Sequence, residues 1–82
     1  MDTHAIIGKA LGDKYAEAKR RRRSLPESNF SGFMECSNIM SMIWEAYYSA
    51  FLTLLDAGHF DAAGSLTTAY WDAVKAGERV SA

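Results

Sequence analysis

Few side chains in this 82-residue sequence could do chemistry, and they are widely spaced. His4 and His59 are the groups able to exchange a proton near neutral pH. His4 stands near a helix start and His59 at a turn, where histidines usually serve as exposed polar residues. Cys36 is the lone thiol, so no internal disulfide is possible. A nucleophilic cysteine needs an adjacent base, and no histidine is close to Cys36 in sequence. It falls in an apolar sector and reads as a small buried hydrophobe. Asp56, His59 and Asp61 bracket one turn, but structural metal sites bring four ligands at recognisable spacing. The expectation is a protein without catalytic residues, bound metal or cofactor.

Charge offers a second lead. Lys19, Arg20, Arg21, Arg22 and Arg23 are five consecutive cations. Through Pro26, seven basic residues face three acids, a balance of +4; from Glu27 onward two face seven, a balance of −5. Such a run wraps around a helix, repels itself and complements the negative end of the helix dipole. That describes a solvated helix terminus. Three other readings stay open: a site for a phosphate-bearing ligand, nucleotide or nucleic acid, a targeting signal, or electrostatic pairing of the first helix with acidic neighbours. A helix–turn–helix DNA reader would carry positive charge on its recognition helix, whereas the later helices here are acidic.

Aromatic and methionine side chains supply the third lead. At 100° per residue, residues 30–55 place Ser31, Glu35, Asn38, Glu45, Ser49 and Thr53 in one narrow stripe, interrupted by Met42. Apolar residues, including Phe30, Phe33, Ile43, Trp44, Tyr47, Tyr48, Phe51 and Leu54, cover the remaining two-thirds or so. A helix lying on one surface needs an apolar arc of only about 100°. This helix therefore needs covering from at least two directions. Tyr and Trp are enriched at interface hot spots. Met42, Trp44, Tyr47, Tyr48, Phe51, Leu52 and Trp71 are accordingly the candidate interface residues, and residues 19–23 the candidate ligand site.

The elements that must position these groups are three helices, at about 3–23, 25–57 and 59–76, with a fraying tail at 77–82. Asp2 or Thr3 caps the first. Ser24 and Glu27 stand at capping-box spacing with Pro26 between them, which starts the second helix somewhere in 25–31. Gly58 is a natural left-handed end to it. Gly8 and Gly12, four apart, weaken the first helix by up to about 1 kcal/mol each. They either admit another backbone closely or mark a mobile segment. The third helix reads as buried along Phe60, Ala63, Gly64, Thr67, Tyr70, Trp71 and Val74. The predicted fold is all-α, a three-helix antiparallel bundle with a long central helix, completed by oligomerisation with a dimer favoured.

Around the second turn, LLDAGHFDAAGSLTTAYWDAV resembles the helix–turn–helix of a tetratricopeptide repeat. Gly58, Phe60, Asp61 and Ala63 match the turn pattern, while Phe51 and Tyr70 stand where such repeats want small residues. The resemblance covers about a third of the chain, has no second copy, and implies a tight αα-hairpin without implying a function.

Length allows one domain with a marginal core, yet 49% of residues are hydrophobic. No basic-then-apolar leader and no long unbroken apolar run are visible, so a cytoplasmic protein without a membrane span is expected. The functional expectation is a small non-catalytic protein that docks on a macromolecular partner and inhibits or adapts it. Phage or mobile-element proteins that inhibit bacterial immunity are built this way. The alternative is a phosphate-ligand or nucleic-acid-binding module using residues 19–23.

Overall fold

A computed structural model describes residues 2–80, with side chains through Glu78. It contains three helices, α1 Thr3–Ser24, α2 Phe30–Asp56 and α3 Phe60–Val80. Among the described residues there is no strand, and the fold is an all-α bundle with α2 its longest element.

Capping chemistry sets the helix ends. The Asp2 carboxylate accepts from the His4 and Ala5 amides at 3.0 and 3.2 Å. α2 begins at Phe30, not Leu25. The Asn29 carbonyl side chain accepts from the Gly32 amide at 2.9 Å and wins the cap. The Ser24 hydroxyl turns back to donate to the Arg21 carbonyl, and Pro26 opens a turn closed by the Asn29 amide. The expected capping box therefore does not form. α2 ends in a Schellman motif. His59 N–H donates to the Leu54 carbonyl and Gly58 N–H to that of Leu55, with Gly58 at φ +79°.

Consecutive helices run antiparallel, which leaves α1 and α3 parallel. Their contacts climb in register: Gly8 on Leu66 and Ala69, Gly12 on Tyr70 and Ala73, Ala16 on Gly77, Lys19 on Glu78. This first-to-last pair is the tightest in the bundle. A Cβ on Gly12 would collide with the Tyr70 carbonyl oxygen and lie 2.7 Å from the Ala73 Cβ; one on Gly8 would collide with the Leu66 carbonyl. Close backbone approach, not mobility, is thus the role of the two glycines. α1 buries Gly8, Gly12, Ala16 and Ala18, while its larger Ile6 and Ile7 stay exposed.

The same packing rotates α3. Ala63, Leu66, Tyr70, Ala73 and Val74 are buried, whereas the expected Phe60 and Trp71 are exposed and a Cβ on Gly64 would point into open space. The face turns toward the small residues that receive α1. α3 also continues past Ala76, because Gly77 sits against Ala16 and its carbonyl accepts from Arg20 Nη1 at 3.3 Å. Residues 77–80 are helical, and the remainder of the predicted tail lies outside the described residues.

The core is Tyr47, Leu66, Tyr70 and Val74, ringed by Leu11, Tyr15, Ile43, Ala50, Phe51 and Leu54. The Tyr47 and Tyr70 rings stack at 4.1 Å between centroids, and Tyr15 meets Tyr70 edge-on at 6.2 Å. Each buried aromatic contributes about 1.5–3 kcal/mol by area.

Candidate interaction surface

Among the aromatic candidates the structure divides core from surface. Tyr47 is only 5% exposed; its hydroxyl donates to Thr67 Oγ1 at 3.1 Å, so it belongs to the core and not to an interface. Phe51 is half-buried against that core. Trp44, Tyr48, Leu52 and Trp71 are each about two-fifths exposed. Met42 is 68% exposed, but it lies two residues before Trp44 and hence about 200° around the helix. It stands apart on the polar side of α2.

α2 carries two apolar seams. The inward one alternates four- and three-residue steps through Cys36, Met40, Ile43, Tyr47, Ala50 and Leu54, the buried or half-buried face of the helix. The outward one repeats the pattern through Phe30, Met34, Ser37, Ser41, Trp44, Tyr48, Phe51 and Leu55. That is the a/d spacing of a coiled-coil helix. Phe30 is 70% exposed, and Met34, Trp44 and Tyr48 are exposed with it. Phe33 and Leu52 widen the strip at either end. The heptad spacing was present in the sequence, but the width of the apolar sector concealed its division into two seams.

Ring contacts connect this strip to the core. Trp44 stacks on Tyr48 at 4.9 Å and 18°, Tyr48 approaches Phe51 at 6.3 Å, and Phe51 approaches Tyr47 at 6.1 Å. Trp71 meets Tyr70 edge-on at 5.2 Å and Tyr47 at 6.3 Å. Aromatic pairs of this kind contribute about 0.5–1.5 kcal/mol beyond burial, so the exposed rings are tied to the core. A groove of roughly 370 Å³ opens beside Ser37 and Ser41, walled by Tyr15, Arg22, Met40, Trp44 and Glu45.

Much of the basic run faces into the bundle. Lys19 Nζ pairs with Glu78 Oε1 at 2.5 Å, and this bond is the main reason the Glu78 carboxyl is held below its ordinary pKa. Arg20 Nη1 donates to the Gly77 carbonyl of α3 at 3.3 Å. Arg22 donates to the Ser37 hydroxyl at 3.1 Å and lies over the Phe33 ring at 5.1 Å. Arg23 lies near enough to Glu78 to favour its charged form. Arg21 is exposed beside Lys14 and Glu17.

The remaining chemical candidates are not brought together. Cys36 is buried near the start of α2 and His59 exposed beyond its end, and the helix from Cys36 to Asp56 alone spans about 30 Å. His4 lies at the foot of α1, lining a shallow groove with Ile7, Thr53 and Leu54. Among the described residues no three His, Cys, Asp or Glu side chains form a metal-holding group, and no helix is long and apolar enough to cross a membrane. No known protein family, curated protein or solved structure matches the chain.

Proposed function

We propose that this chain is a non-catalytic interaction protein that works through α2, docking on a macromolecular partner and inhibiting or adapting it. The observation that carries the proposal is the outward seam of α2, on which Phe30, Met34, Trp44 and Tyr48 stay exposed. Single exposed apolar residues are ordinary; a strip running the length of a helix is what interaction surfaces look like. Charge polarity and the dispersal of His4, Cys36 and His59 suit a phage or mobile-element protein that blocks bacterial immunity, and that setting is part of the proposal.

The phosphate-ligand reading has less support, because Lys19, Arg20 and Arg22 are engaged within the bundle. The test is partner capture by wild type, by the double variant Trp44→Ser/Leu52→Ser, and by Arg21→Ser/Arg23→Ser, at low and high salt. Docking through α2 predicts loss of capture only in the first variant, with weak salt dependence. Capture that collapses with salt and with the arginine variant would replace this reading with phosphate recognition.

A further inference from the structure

Resting on the reading of α2 as the docking element, we infer that in the free protein the outward seam is filled by a second copy of the same chain, which the macromolecular partner displaces on docking. The two α2 helices run antiparallel about a dyad that passes between Met42 and Ile43.

Two small positions interrupt the seam before its midpoint: Ser37 and Ser41 follow Phe30 and Met34 and precede Trp44, Tyr48, Phe51 and Leu55. Reversing the helix about that dyad sets Ser41 against the second copy's Trp44, and Ser37 against its Tyr48. Met34 then meets Phe51 and Phe30 meets Leu55, so all eight seam positions find a partner. Antiparallel helices pack in such alternating layers, each knob entering a hole on the facing helix. The hole is visible in the single chain: the groove beside Ser37 and Ser41 lies where the second copy's Trp44 and Tyr48 arrive.

None of the eight seam residues is charged, and Glu45, on the flank, falls nearest Asn38 of the second copy. Arg22, bonded to Ser37 at the groove, meets the arriving Tyr48 ring as a cation beside an aromatic face.

Sedimentation velocity over a dilution series, with circular dichroism to confirm folding, tests the register. Ser41 and Trp44 are both on the monomer's surface, so their variants should fold. Ser41→Trp sets ring against ring, and Trp44→Ser sets hydroxyl against hydroxyl. Each should yield monomers at concentrations where wild type is dimeric. For Trp44→Ser the dissociation constant should rise on the order of 1,000-fold, because two hot-spot anchors leave each dimer. The double variant Ser41→Trp/Trp44→Ser exchanges knob and hole and should restore the dimer. A wild type that stays monomeric at high concentration overturns the second copy and leaves α2 to a different protein, while capture of that protein independently tests the docking reading. A dimer that persists in both single variants, or a double variant that stays monomeric, overturns the register.

Discussion

At the scale of single residues, clearance decides what each glycine is for. Gly12 faces a backbone carbonyl with no room for a methyl group, while Gly64 faces open space. Gly12→Ala gains up to about 1 kcal/mol of helix propensity, but overpacking against a fixed backbone costs about 1–3 kcal/mol or more. Net destabilisation is expected in urea titrations. Gly64→Ala should instead stabilise by about 0.5–1 kcal/mol. Tyr70 is the other singular residue. It is fully buried, and among the described residues its hydroxyl has no hydrogen-bond partner. Burial, with smaller contributions from Tyr15 and Tyr47, pushes its pKa up to about 12. Because the folded value lies above the ordinary value near 10, this group's contribution is complete below pH 10 and is lost as the pH rises toward 12. Absorbance titration at alkaline pH should show one tyrosine ionising late, together with unfolding. Tyr70→Phe should remove that late phase and leave neutral-pH stability unchanged or slightly higher.

At the scale of elements, the helices themselves were legible from periodicity and capping, and their partners were not. Gly8 and Gly12 left a close approach and a mobile segment both open, and Ala69, Ala73 and Gly77 decide for the first by supplying its other side. Nothing local says that two small-residue stripes some sixty positions apart should face each other. The start of α2 was obscured by competition, since Ser24 and Asn29 are both good caps and only the turn at Pro26 decides between them. The arginine run was similarly ambiguous, because sequence does not reveal which face of a helix meets α3. The Lys19–Glu78 bond now makes a pH prediction. The Glu78 pKa is depressed, so its contribution is present above about 4.5 and lost as the pH falls through the lowered value. Thermal melts of wild type and Glu78→Gln should therefore differ slightly near neutrality and converge in acid; the difference stays small because both side chains are partly exposed.

At the scale of the whole molecule, shape and surface argue together. The radius of gyration is 14.1 Å, against about 11.7 Å for a compact domain of this length. Principal extents of 47 × 23 × 14 Å describe a flattened body, with α2's outward seam left uncovered. If two such bodies pair along α2, the melting temperature should rise with protein concentration. Hydrogen exchange should then slow on concentration throughout the bundle wherever it proceeds by global unfolding, and α2 amides that open locally should slow as well. A melting temperature independent of concentration would speak against pairing.

The parallel seating of α1 on α3 also bears on how the chain is made. Lys19 and Glu78 are joined across 59 positions, and the glycines of α1 find their closest neighbours only in α3. During synthesis α1 emerges first, yet its tightest seat does not exist until α3 has left the ribosome. A nascent chain halted after α2 would hold the greasy middle rod against half a support, a moment at which a chaperone, or the eventual target itself, would find it most available.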